Sequence, residues 1–147
     1  MPAIRRADVS WSGPLMTGSG AVSASSSAAF TDLPVTWASR TETADGRTSP
    51  EELVAAAHAS CFAMAFTGAL TRAGTPPDRL DVSAVVTFDK VEAGWRVVSS
   101  ALTVVGKVPG MFAADFRAAA EVAKNGCPIS QALTGNVALS VDASLQD

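Results

Sequence analysis

Ser49-Pro50-Glu51-Glu52-Leu53-Val54-Ala55-Ala56-Ala57-His58-Ala59-Ser60-Cys61-Phe62-Ala63-Met64-Ala65-Phe66-Thr67-Gly68-Ala69-Leu70 is the stretch that decides the fold. It opens as a helix opens: Ser49 stands at the N-cap, Pro50 at the first helical position, and Glu52 three residues on completes a capping box. The helix is expected to run to about Ala73, where Gly74 and Pro76-Pro77 end it. Residues 53–70 carry no charged side chain, which invites a membrane reading. The richness in alanine, with His58, Ser60, Thr67 and Gly68, fits a helix buried in protein on nearly all sides better. One small sheet covers only part of such a helix, so an obligate homodimer is the economical expectation.

The flanking segments read as strands and shorter helices. Residues 7–11 and 20–25 form two strands around a turn at Gly13-Pro14 and Gly18, and residues 33–39, which include Trp37, give a third. Downstream, residues 80–88 alternate through Val82, Ala84, Val86 and Phe88. Residues 95–105 follow after a turn at Ala93-Gly94, so the two runs predict a hairpin. Phe112, Phe116, Ala119, Ala120 and Ala123 keep helical spacing until Gly126, and Pro128 opens a short further helix. Val137, Leu139 and Val141 make the last strand. The order is βββ-α-ββ-α-α-β, an α+β architecture with its helices on one sheet face. At 147 residues the chain is long enough for one core and short for two, so a single domain over residues 1–147 is expected.

Charge and composition narrow the function. A formal charge of −3, with no basic cluster beyond Arg5-Arg6, offers no footprint for nucleic acid. One histidine and two distant cysteines cannot assemble a protein-held zinc site in one chain. Asp8 and Ser10 stand where a signal peptide needs apolar residues, so the chain is expected in the cytoplasm, with no membrane partner. In that reducing compartment, paired thiols point to redox chemistry more than to a structural bridge.

The two thiols have different settings. Cys61 lies in the apolar helical run, where sulfur is usually inert core. Cys127 lies in Asn125-Gly126-Cys127-Pro128-Ile129-Ser130, and Pro128 disfavours helical geometry for the residue before it. That places the Cys127 thiol at the start of a short helix, facing free backbone N–H groups that stabilise a thiolate. The expectation is one buried thiol, Cys61, and one mobile, acid-shifted thiol, Cys127.

Ser49 to Leu53 followed by Ala56-Ala57-His58-Ala59-Ser60-Cys61-Phe62-Ala63-Met64-Ala65 resembles the first-cysteine helix of the OsmC/Ohr family of thiol-dependent peroxidases. Ala123-Lys124-Asn125-Gly126-Cys127-Pro128-Ile129-Ser130-Gln131-Ala132-Leu133 is similar to that family's second-cysteine segment. Asp89-Lys90-Val91-Glu92-Ala93-Gly94 and Val108-Pro109-Gly110 extend the resemblance over nearly the whole chain. Arg40, after the third predicted strand, stands where the OsmC branch carries its active-site arginine. The resemblance implies an OsmC-like domain, entwined as a homodimer with its active site at the subunit interface. It implies a peroxidase acting on organic hydroperoxides and less well on hydrogen peroxide, with no cofactor. Cys61 would be the attacking residue, Cys127 the resolving one, and Arg40 with Glu51 would complete the site. An external thiol or dithiol, a lipoylated protein among the candidates, would be the reductant.

Chemistry asks for the same complement. A free thiol with a pKa of about 8.5 is mostly protonated at neutral pH, so an attacking Cys61 needs a nearby cation. The helix start is several turns away and its field fades within the first turn. Arg40 is suited to the role, because a guanidinium stays charged when buried and can hydrogen-bond a peroxide oxygen, and Glu51 would orient it through a two-toothed pair. Its competitor is Arg47, three residues before Pro50. Ten residues of helix separate Glu51 from Cys61, about 15 Å of rise, so Glu51 with Arg40 is expected to serve the other subunit's Cys61.

Blander roles stand beside these. Glu51 and Glu52 favour the helix dipole whatever else they do. His58 shares a helix face with Cys61 and is a candidate base, although a buried helix more often carries a satisfied core histidine. Trp11, Trp37, Phe62, Phe66, Phe112 and Phe116 are candidates for a hydroperoxide pocket and equally for plain core. The alternative function on the same fold is a non-catalytic redox sensor or a binder of apolar ligands.

Overall fold

Three short strands open the chain: β1 (Asp8–Ser12), β2 (Ser19–Ser23) and β3 (Leu33–Val35). They form an antiparallel sheet in the order β1-β2-β3, with Val9 opposite Val22 and Gly20 opposite Val35. The third strand stops sooner than the sequence reading expects. Thr36 Oγ1 accepts the Ser39 N–H and Ser39 Oγ accepts the Thr36 N–H, a reciprocal capping box that starts helix α1 (Trp37–Thr41). Two local hydrogen bonds outweigh the strand preference of Trp37 and put Arg40 on a helix.

The computed structural model describes residues 1–147, and these group into two compact units, Met1–Leu53 and Val54–Asp147. The boundary falls within helix α2 (Pro50–Arg72). Ser49 Oγ accepts the Glu52 N–H at 3.1 Å, but the Glu52 carboxylate accepts from the Thr48 hydroxyl at 2.7 Å. The predicted capping box at Ser49 is therefore half formed, because a neighbouring hydroxyl competes for the carboxylate.

In the second unit, β4 (Arg79–Val91) and β5 (Gly94–Lys107) form the expected hairpin, with Lys90 opposite Trp95 and Val91 opposite Gly94. The register shifts between Thr87 and Phe88, whose partners are Ser99 and Val97. Helices α3 (Ala113–Gly126) and α4 (Pro128–Leu133) follow, and β6 (Ala138–Leu145) returns parallel to β5. The order therefore matches the prediction with α1 added, and the strands divide between two three-stranded sheets instead of one.

The core of this unit gathers α2, the sheet and α3. Phe62, Phe66 and Leu70, four residues apart on α2, pack with Leu102 and Val104 of β5 and with Phe116 and Ala120 of α3. Phe66 meets the Phe62 and Phe116 rings at centroid distances of 5.5 and 5.0 Å. Gly106 on β5 exists for this packing, since a Cβ there would collide with the Phe116 ring. The burial of α2 is one-sided, not nearly complete: Ala56, Ala57, Ser60, Met64 and Thr67 stay exposed in the single chain, Met64 by 70%. By length and composition alone α2 is apolar enough to cross a membrane.

Candidate active site

The first unit contributes an ion pair. The bridge between Val35 and Thr48, and the Ser39 hydroxyl donating to the Thr48 carbonyl at 3.0 Å, tie α1 to the entrance of α2. That anchorage sets Arg40 beside Glu51. Arg40 Nε donates to both carboxylate oxygens at 3.0 and 3.1 Å, and an Nη donates to one of them at 2.8 Å. The Glu51 side chain is 9% exposed and that of Arg40 31%, so a desolvated carboxylate grips a cation that still reaches the surface. Arg40 also lies over the Trp37 ring, 5.8 Å from its centroid. Arg47, by contrast, pairs with Asp45 at 3.3 Å on an exposed loop.

A cavity of about 340 Å³ opens in the same unit. Trp11, Leu15, Val35, Trp37 and Leu53 give it an apolar lining, and Arg40 supplies a charge. The six aromatic candidates thus separate: Trp11 and Trp37 line a pocket, Phe62, Phe66 and Phe116 are core, and Phe112 is an exposed helix cap. A side chain at the N-cap lies outside the helix stripe that its spacing suggested.

The second unit holds both thiols, both free, with Cys127 in the core cluster and Cys61 packed against it. Their burial is the reverse of the sequence expectation. Cys127 is wholly buried within the core, whereas Cys61 keeps partial exposure. The cause is Pro128, which holds Cys127 in an extended conformation at φ −67°, ψ 124° between α3 and α4. Cys127 then caps both helices, its N–H donating to Ala123 O at 2.9 Å and its carbonyl accepting from Gln131 N at 3.0 Å. Both backbone groups of Cys127 are thereby held by the helices on either side. Gly126 keeps an ordinary backbone as the last residue of α3, so the helix ends because of the proline after Cys127.

The two sulfur atoms sit in different fields. Burial pushes the Cys61 thiol up, and the neighbouring Cys127 thiol pushes it further, against the Ile129 N–H. Burial pushes Cys127 up as well, but the Ser130 N–H, the Cys61 thiol, the Ser130 hydroxyl and the Ile129 N–H outweigh it and leave Cys127 below an ordinary thiol. The Ser130 N–H, in the first turn of α4, is the largest of these lowering influences, and the direction is the one expected for Cys127 from the sequence.

His58 lies fully buried on the Cys61 side of α2. Its Nδ1 meets Ser100 Oγ at 2.6 Å and its Nε2 meets Ser130 Oγ at 2.8 Å, and burial holds its pKa below that of an ordinary histidine. Every buried side-chain nitrogen and oxygen has a partner. Ser130 is a residue to which the sequence reading gave no role, although its place three residues after Cys127 in a helix start was a usable signal. Ser100 had none, being 42 residues from His58.

Comparison with known proteins agrees with this architecture. The sequence matches the family described as OsmC-like protein across residues 43–142. It is 38% identical over 135 residues to peroxiredoxin OsmC of Escherichia coli (strain K12), covering 92% of this chain and 93% of that one. The fold is similar to that of the organic hydroperoxide resistance protein OhrB of Bacillus subtilis, with a TM-score of 0.74 at 21% identity over 95% of this chain and 98% of that one. It is equally similar to an organic hydroperoxide resistance protein from Elizabethkingia anophelis, with a TM-score of 0.75 at 22% identity over 99% and 100% of the two chains.

Proposed function

The chain belongs to the OsmC family and is a peroxidase, and from that premise we propose that it reduces organic hydroperoxides, and hydrogen peroxide less well, through Cys61 and Cys127. The observation that carries this reading is that the two free thiols, far apart in sequence, come together in the core of one unit, Cys127 within it and Cys61 packed against it. In the first step the Cys61 thiolate attacks the O–O bond. An S–O bond forms, the O–O bond breaks, and the departing alkoxide takes a proton to become the alcohol. In the second, the Cys127 thiolate attacks the Cys61 sulfur of the sulfenic acid; the S–S bond forms, the S–O bond breaks, and hydroxide takes a proton to leave as water. The two electrons come from the thiol pair. An external thiol or dithiol, a lipoylated protein among the candidates, restores it by exchange.

Arg40 and Glu51 complete the site. The surroundings of Cys61 in its own unit push its pKa up, so the thiolate needs a cation from elsewhere. Arg40, oriented by Glu51, is suited to supply it from a second subunit. Ten residues of unbroken helix, about 15 Å of rise, lie between Glu51 and Cys61, and the exposed face of α2 around Met64 is apolar enough to be covered by another copy. The cavity beside Arg40 is suited to an apolar hydroperoxide tail, and the protein is expected to work in the cytoplasm.

The test is a pair of variants. Cys61→Ser abolishes hydroperoxide consumption with the fold retained, whereas Cys127→Ser allows one attack and then accumulates oxidised Cys61. Turnover near that of the parent in Cys61→Ser, or a normal cycle in Cys127→Ser, would overturn the assignment.

A further inference from the structure

The core of the second unit contains a hydrogen-bonded triad, Ser100, His58 and Ser130, and Ser130 is the third residue of α4, the helix that Cys127 caps. His58 is the only histidine in the protein, and its ring is buried and engaged at both nitrogens. A buried imidazole held below the ordinary histidine range is neutral at pH 7, so one ring nitrogen donates and the other accepts. The two serine hydroxyls must then have opposite polarity. With the proton on Nε2, Ser130 Oγ accepts from the ring and its own O–H is free to point at the Cys127 sulfur, while Ser100 donates into Nδ1. With the proton on Nδ1, the Ser130 hydrogen is spent on Nε2 and its oxygen presents only lone pairs to Cys127. The first arrangement holds a thiolate; the second repels one.

We propose that His58 is a positioning residue, which in its Nε2–H tautomer fixes the Ser130 hydroxyl as a hydrogen-bond donor to the Cys127 sulfur and so holds the resolving thiolate ready. Ser100 sets the tautomer from the far side of the ring. The inference rests on the dithiol reading for its purpose, since only a resolving thiol needs to be held as a thiolate. Histidine does here what an apolar side chain of equal volume cannot: it passes the polarity of a hydroxyl on β5 to a hydroxyl on α4. Once the disulfide forms, the Cys127 sulfur carries no charge and the hold on the Ser130 hydrogen is released.

Two measurements test it. A Cys61→Ser chain keeps Cys127 as its only thiol, so ultraviolet thiolate absorbance titrates that group alone, and nitrogen NMR of the single histidine reads its tautomer without any change at His58 or the serines. The expected result is an Nε2–H imidazole whenever Cys127 is a thiolate, with the Cys127 titration moved upward by Ser130→Ala and restored by Ser130→Thr, which keeps the hydroxyl. In the chain with both thiols, single-turnover kinetics of His58→Gln and Ser130→Ala should leave the Cys61 oxidation step within about twofold. Disulfide closure should slow about tenfold at neutral pH, the loss fading at high pH where Cys127 is ionised regardless. An Nδ1–H imidazole beside the thiolate, or an unchanged Cys127 titration in folded Ser130→Ala, overturns the inference. Failure of the parent to consume hydroperoxide would defeat the dithiol reading instead, and the tautomer and titration would still judge the chain of hydroxyls.

Discussion

Replacing Arg40 by Met tests whether the pair with Glu51 is a built structural feature. Two unit charges about 4 Å apart at an effective dielectric of about 20 attract by about 4 kcal/mol. Desolvation opposes this, strongly for a Glu51 side chain that is 9% exposed and less for an Arg40 side chain at 31%. The remainder is about 2 kcal/mol, in the range for hydrogen bonds to charged groups. Arg40→Met leaves the carboxylate buried without its three bonds from the guanidinium and should cost about 3 kcal/mol. Glu51→Met gives up the pair and the carboxylate's place at the helix start. The double substitution should cost about 2 kcal/mol less than the sum of the two singles, because the pair is lost only once. Urea unfolding of all four proteins at one concentration, with equal slopes, measures this. A coupling below about 0.5 kcal/mol would refute it, and with it the idea that Glu51 holds Arg40 in place for catalysis.

Gly106→Ala should cost about 1–3 kcal/mol by thermal unfolding, because the new methyl group meets the Phe116 ring; a Gly106→Ala chain also carrying Phe116→Leu should regain part of it. Stability should fall as pH drops below 6.5, the ordinary value for His58, by up to about 1.4 kcal/mol per pH unit. The sign follows from the lowered pKa: the unfolded chain takes up the proton first, so stability is complete above 6.5 and declines towards the folded value. A His58→Gln chain should be flat across that window. Met64→Lys, on the exposed face of α2, should shift sedimentation towards the monomer, whereas an unchanged dimer would show that this face is not the interface. Refolding Cys61→Ser chains together with Arg40→Met chains should recover about a quarter of the parent activity, since half the dimers are mixed and each keeps one intact pair. No recovery in confirmed mixed dimers would put Arg40 and Cys61 of one chain in the same site.

The sequence by itself determined what depends on neighbours along the chain. Ser49-Pro50 starts a helix because an N-cap and a fixed φ act within four residues, and α2 begins at Pro50. The alternation from Val82 to Phe88 marks a strand because side chains point to opposite faces at period two, and the hairpin and last strand followed. Pro128 told where Cys127 would sit because its ring restricts the residue before it. Only the tertiary structure decided what depends on distant partners. Strand propensity at Trp37 yielded to the Thr36–Ser39 box, and the strands split into two sheets. Cys127 came to lie deeper than Cys61 because α3, α4 and the sheet close around it, which no local pattern encodes. The Ser100–His58–Ser130 chain joins residues 42 and 72 positions apart. Burial and hydrogen-bond polarity are properties of the assembled core, and they appear only when the chain has folded back on itself.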